Sequence, residues 1–290
     1  MANKFAFCLW NNGKTQEMAD FYLDIFEQAQ QTQISHVLSD LHGTPGDILT
    51  ITLELAGSEF LLLNGGSEFT PTPAVSYIIQ CPDETQTREV WHKLSTNGEQ
   101  LMPLENTEEL GLFGWTNDQF GISWQVVYKP ELSEQSILPC LLFANELAGK
   151  VEYAVDTWIQ IFTHGEVLQK EVHEDGSLNM LLFKLYDQEF LIIDSKIPHE
   201  FSFSLANSFY VYCEGQPEID RLFYALERKG TPLPCGWITD EFGVAWQLVT
   251  RTIDQLFDDR HPEKSYQATL ALFEMTKIDI GKLQRVYDQG

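Results

Sequence analysis

Two apolar runs, FAFCLW at 5–10 and ILPCLLF at 137–143, each lead into a stretch whose apolar residues recur at helical spacing. Met18, Phe21, Tyr22, Ile25 and Phe26 follow the first run, and Val151, Ala154, Val155, Trp158, Ile159 and Phe162 follow the second. Spacings of i, i+3, i+4, i+7 and i+8 put such residues on one side of a helix, so each half should open with a strand and then an amphipathic helix. Next come ILTITLELAGSEFLLLNGG (48–66) and LNMLLFKLYDQEFLIIDSK (178–196). The turns AGSE and YDQE divide runs rich in Leu, Ile, Thr and Phe, and each stretch reads as two antiparallel strands.

Each half then repeats the plan. The strands SYIIQC (76–81) and SFYVYC (208–213) precede helices with the apolar stripes Val90, Trp91, Leu94 and Leu222, Phe223, Leu226. GWTNDQFGISWQVV (114–127) and GWITDEFGVAWQLV (236–249) close the halves, identical at eight of fourteen positions. Asp118 and Asp240, with Gly121 and Gly243, suit a turn in which Asp bonds the backbone and Gly takes positive φ. The chain therefore reads as four βαβββ units, two per half, an α+β class. A first domain is expected over 1–130, a polar linker YKPELSEQS at 128–136, a second domain over 137–252 and a helical tail over 253–290. In the tail, a helix from about Tyr266 to Met275 precedes a shorter one with Asp279 as N-cap and Leu283, Val286 and Tyr287 facing inward.

The run of βαβββ units, the helix end DFYLDIF (20–26), the hairpin LELAGSEFLLLNGG (53–66) and the closing CGWITDEFGVAWQLV (235–249) resemble the PhnB-like branch of the vicinal oxygen chelate superfamily. That superfamily includes glyoxalase I, bleomycin-resistance proteins and extradiol dioxygenases. The tail MTKIDIGKLQRVY (275–287) is similar to the end of many members, and the resemblance covers nearly the whole chain twice over. It implies two glyoxalase-like domains, each a curved mixed sheet forming a cup with helices outside. Some members carry a label as a ubiquinone-pathway methyltransferase. A methyl donor needs a glycine-rich turn after a strand, whereas the Gly65–Gly66 pair here closes a hairpin.

In the metalloenzymes of the superfamily, His and Glu ligands on strands point into the cup, and the ion they hold chelates two vicinal oxygens. The resemblance puts the final-strand glutamate at Gln125 and Gln247. A neutral carboxamide binds a hard divalent ion far more weakly than a carboxylate. The opening-strand ligand falls at about Phe7 and Pro139, that of each second unit at about Ser76 and Ser208, and the hairpin-strand polar groups nearest to hand are Asn64 and Asp194. The expectation is thus no metal and no cofactor.

A formal charge of −25, from 43 acidic and 18 basic residues spread along the chain, repels phosphate backbones and anionic lipid. Nucleic acid and membrane are excluded as expected partners. No run of eighteen apolar residues and no secretory leader is legible, which places the protein in the cytoplasm as an expectation. The five cysteines then read as free thiols, with Cys8 and Cys140, and Cys81 and Cys213, at corresponding strand positions.

His36, His42, His92, His164, His173, His199 and His261 form no HxH or HExxH. His36, in the strand QISHVLS, is the one with a claim on the cup. Carboxylate pairs such as Glu108 and Glu109 or Asp258 and Asp259 sit in polar loops where solvation accounts for them.

Three functions remain. A metal-free cup would bind a small organic molecule between aromatic walls, with Trp10, Trp115 and Trp237 as walls and Gln125, Gln247, Asn64 and Asp194 as hydrogen-bonding groups. Strand alternation turns Trp124 and Gln125, and likewise Trp246 and Gln247, to opposite faces, so one of each pair lines the cup. The alternatives are a metal-dependent lyase, isomerase or dioxygenase using unusual ligands, and a non-catalytic protein-interaction module. A homodimer is compatible with any of them.

Overall fold

A computed structural model describes residues 3–38, 43–108, 110–254, 256 and 261–290. His42, Glu109, Asp258 and Asp259 lie outside the described residues. The first unit comprises β1 (Phe5–Asn11), α1 (Thr15–Ile25), β2 (Gln30–His36), β3 (Ile48–Leu55) and β4 (Ser58–Asn64); the second β5 (Val75–Cys81), α2 (Glu84–Ser95), β6 (Glu99–Thr107), β7 (Gly111–Asn117) and β8 (Ser123–Tyr128). The third has β9 (Ser136–Phe143), α3 (Val151–Phe162), β10 (Gly165–Val172), β11 (Leu178–Leu185) and β12 (Gln188–Asp194); the fourth β13 (Asn207–Tyr212), α4 (Gln216–Glu227), β14 (Thr231–Pro232), β15 (Trp237–Thr239) and β16 (Ala245–Val249). All four are βαβββ, as the hydrophobic pattern predicts. A short α5 (Arg251–Asp254) leads to the tail helices α6 (Pro262–Phe273) and α7 (Ile280–Gln289).

The units do not pair within their own halves. The first sheet runs β14-β15-β16-β13-β1-β4-β3-β2, joining the first unit to the fourth; the second runs β10-β11-β12-β9-β5-β8-β7-β6, joining the second to the third. The seams are antiparallel: β1 on β13, with Cys8 opposite Ser208, and β5 on β9, with Ser76 opposite Cys140. Each cup is therefore shared between the halves, one unit from each. A sequence repeat shows which segments are alike and says nothing of which ones pair.

Period-two alternation gives every central strand two characters. Phe5, Phe7 and Leu9 of β1, Tyr77 and Ile79 of β5, Trp124 of β8 and Trp246 of β16 belong to one continuous core between the sheets. Phe7 lies 5.1 Å from Phe60 and 5.4 Å from Tyr77, ring to ring, so the two sheets meet directly at their centres. The predicted helical stripes pack into the same core.

Two buried carboxylates fasten this core. Asp118 Oδ1 accepts from the backbone N–H groups of Phe120 and Ile122, and Oδ2 accepts from Tyr22 Oη at 2.7 Å and Trp124 Nε1 at 2.9 Å. Asp240 repeats the design with Phe242 and Val244 on Oδ1 and with Trp158 and Trp246 Nε1 on Oδ2. The expected Asx-type turn is present, and its free oxygen ties a helix of the opposite sheet to the closing strand. Burial pushes both carboxyl groups up to about 6, against the hydrogen bonds that favour the anion.

The tail folds onto its own chain. Asp279 caps α7 through Lys282 N at 2.7 Å, Leu283 is buried, and Val286 and Tyr287 rest on the core. Cys235 N and Gly236 N donate to Met275 and Thr276 carbonyls, and Ile278 lies against Gly236, where an added Cβ would meet it at 2.8 Å. Among the described residues no helix is long and apolar enough to cross a membrane.

Candidate functional site

The face of each sheet turned away from the core carries the candidate site. Gln247 Nε2 donates to Ser208 Oγ at 2.8 Å on the first sheet, and Gln125 Nε2 donates to Ser76 Oγ at 2.9 Å on the second. Cys8 stands opposite Ser208 across the β1–β13 seam, and Cys140 opposite Ser76 across the β5–β9 seam. Both floors are thus the same Cys–Ser–Gln group. In both cups the thiol comes from one half of the chain and the Ser–Gln pair from the other. Burial pushes each thiol up to about 12, so both are neutral at ordinary pH.

Trp124 and Trp246 face the core and Gln125 and Gln247 the cup, which resolves the alternation. The opening-strand expectation needs correcting by one residue. Phe7 points into the core, Pro139 lies opposite Tyr77, and Cys8 and Cys140 take the cup-facing place. On the hairpin strand the pleat likewise gives the cup Leu61 and Leu63, opposite Cys8 and Trp10, and in the second cup Leu191 and Ile193.

Asn64 and Asp194 end those strands and tie loops. Asn64 Oδ1 accepts from Gly13 N at 2.9 Å and its Nδ2 donates to Ile48 O; Asp194 Oδ1 accepts from Gly149 N at 2.8 Å. Each holds the loop before an amphipathic helix. His36 ends β2 opposite Ile48, at the sheet edge away from the Gln247 floor.

Trp237 pairs with Gln247 and Trp115 with Gln125, so each stands beside a floor glutamine on the neighbouring strand. Trp115 Nε1 donates to Ser123 Oγ at 2.8 Å. Trp10 meets Trp237 edge to face at 6.3 Å and Phe69 at 5.0 Å, and its Nε1 donates to Gly66 O at 2.7 Å. Its indole lies on Gly65, where an added Cβ would come within 2.3 Å of the ring. The glycine pair that closes the hairpin is therefore also the bed of a tryptophan.

Tyr210 and Tyr212 extend this face from β13, and both escaped the sequence reading although SFYVYC alternates them outward. Arg251 stacks on Tyr212 at 3.6 Å, its guanidinium also meeting Glu59 Oε2 at 3.2 Å and the Asn3 carbonyl at 2.9 Å.

A family model described as 3-demethylubiquinone-9 3-methyltransferase matches residues 3–127 and again 135–249. The chain belongs to that family. The PhnB protein of Bacillus cereus is 34% identical over 44% of this chain and 100% of its own, with a TM-score of 0.42. Glyoxalase I of Zea mays shares 11% identity over 87% of this chain and 95% of its own, with a TM-score of 0.58, a likeness of fold. No curated protein matches the chain by sequence. The family match and the maize likeness make this a PhnB-like protein of glyoxalase fold in two tandem copies.

The fold family's metal chemistry meets a poor donor set here. The cup-facing places on the four ligand-bearing strands hold Cys8, leucines, Ser208 and Gln247 in one cup and Cys140, Leu191 or Ile193, Ser76 and Gln125 in the other. Of these side chains the thiol is the one that becomes an anionic ligand on binding an ion, so each floor offers a single strong donor where a protein-held divalent ion takes several. Among the described residues no group of three or more His, Cys, Asp or Glu is placed to hold a metal.

Proposed function

We propose that the chain is a cytoplasmic binding protein that takes a small organic molecule in a metal-free cup. The observation that carries this reading is the floor: Gln247 bonded to Ser208, with Cys8 opposite, occupies the places where the fold family's metalloenzymes carry His and Glu ligands. Above it stand half-buried aromatic rings, whose faces offer apolar area with polar edges. The acidic surface argues against nucleic acid and anionic membrane as partners.

Thermal-shift screening of the full chain against an organic-compound panel, before and after EDTA treatment, tests the reading. A compound should raise the melting temperature equally in both samples. Purification with stoichiometric divalent metal, and loss of binding after chelation, would replace it with metal-dependent vicinal oxygen chemistry.

A further inference from the structure

We infer that the two cups have divided their labour: the first-sheet cup is the chain's single small-molecule site and takes a planar aromatic molecule that is cationic or uncharged, while the second is closed by its own side chains. This rests on the binding reading above and goes beyond it in number of sites and class of ligand.

Equivalent positions of the duplicated units differ, and three of them carry an aromatic ring in the first cup alone. Around the identical Cys–Ser–Gln floors, Trp10 of the first cup corresponds to Leu142 beside the second, Tyr210 to Ile78, and Tyr212 to Gln80. In the second cup Ile78, Phe113 and Val127 are buried, packed with Cys140 and flanked by Leu191 and Ile193. They bury one another, the Phe113 ring included, and leave Trp115 half-buried beside them. In the first cup Trp10, Trp237, Tyr210 and Tyr212 stay half-buried.

The position of Trp10 is built rather than incidental. Its ring fits because residue 65 is glycine, and its N–H is held by Gly66. The matching residues of the second half are Ser195 and Lys196, next to a leucine at 142. Indole and glycine occur together, and so do leucine and serine. The perpendicular Trp10 and Trp237 rings form a corner whose faces attract a flat π-system or a cation.

Charge selects between ligands of that shape. Arg251 is held by Glu59, the Asn3 carbonyl and the Tyr212 ring, so it offers an anion little. A chain of net charge −25 concentrates cations at its surface and repels anions.

Three bicyclic probes of similar size test the inference on the full chain: N-methylquinolinium, quinoline and 2-naphthoate, titrated at low salt by calorimetry and tryptophan fluorescence. One equivalent of N-methylquinolinium should bind, about tenfold or more tighter than 2-naphthoate, in line with one cation–π contact and a repelled anion. Trp10→Leu and Tyr210→Ile, which install the second cup's residues, should each weaken it about tenfold. Leu191→Trp, which obstructs the second cup, should leave it unchanged. Two equivalents, or loss of binding in Leu191→Trp with retention in the first-cup variants, overturns the division of labour alone. Tightest binding by 2-naphthoate overturns the charge class. Binding of other compounds but none of these overturns the aromatic class, and failure of every organic compound overturns the binding reading beneath it.

Discussion

Asp240 holds the indole N–H groups of Trp158 and Trp246 on a single carboxylate oxygen, at 2.7 and 3.0 Å. Trp158 belongs to α3 and Trp246 to β16, so this oxygen joins the third unit to the fourth across the inter-sheet core. All four partners of Asp240 are fixed donors, whereas Asp118 has Tyr22, whose hydroxyl can turn and accept.

That difference orders two substitutions. In Asp240→Asn the amide NH2 faces two N–H donors whichever way it is placed, and we expect a loss of about 2–4 kcal/mol in urea unfolding, the scale of unpaired buried polar groups. Asp118→Asn should cost less, because Tyr22 can reverse its bond.

The same pair makes stability pH-dependent. Both carboxyls are raised from 3.8 to about 6, so between those values the folded state holds more protons than the unfolded one, and stability falls as pH rises through that window. Each contributes about 3 kcal/mol, present below the unfolded value and lost above about 6. Glu218 and Asp220, lowered by Lys4 and Lys277, act in the opposite sense, and their stabilisation is lost as pH falls below the ordinary carboxylate range. Urea midpoints should therefore peak near pH 4–5 and fall toward pH 7, with a shallower fall in Asp118→Asn.

Thiol chemistry reads the burial directly. Cys8, Cys81, Cys140 and Cys213 are buried, and burial raises all five thiols, Cys235 to about 11. Native protein at pH 8 should react slowly with a disulfide reagent, half-buried Cys235 first, and all five thiols should react in guanidinium.

Fragments 1–130 and 131–290 each lack half of both cups. Produced separately they should lose the near-ultraviolet circular dichroism of the packed tryptophans, and mixing them during refolding should restore it with a single species of full-length mass. Independent folding of either fragment as a monomer would contradict the crossed sheets.

The four units, their helical stripes and the paired cysteines were legible because burial imposes a period on the residues that experience it. Met18, Tyr22 and Trp158 declare a buried helix face wherever that face ends up. The crossed pairing was not legible, since Ser208 fits beside Cys8 no better by local pattern than Ser76 would. Gln125 and Gln247 were legible as floor groups, but the thiol beside them was displaced by one residue, and one residue on a strand reverses the face. Asn64 and Asp194 look alike as cup residues or loop ties until Gly13 and Gly149 are in place. The bed under Trp10 joins residues 10 and 65, and such a contact leaves no trace in either segment alone.

Sharing each sheet between halves has a consequence for how such a chain can evolve. If one repeat assembled with an identical copy of itself, every substitution would strike both concave surfaces at once. Here each substitution in a unit is inherited by one sheet only: Trp10, Gly65 and Tyr210 alter the first and leave the second untouched. Fusing the copies thus uncouples two surfaces that symmetry would have kept identical, and lets one specialise while the other serves the scaffold.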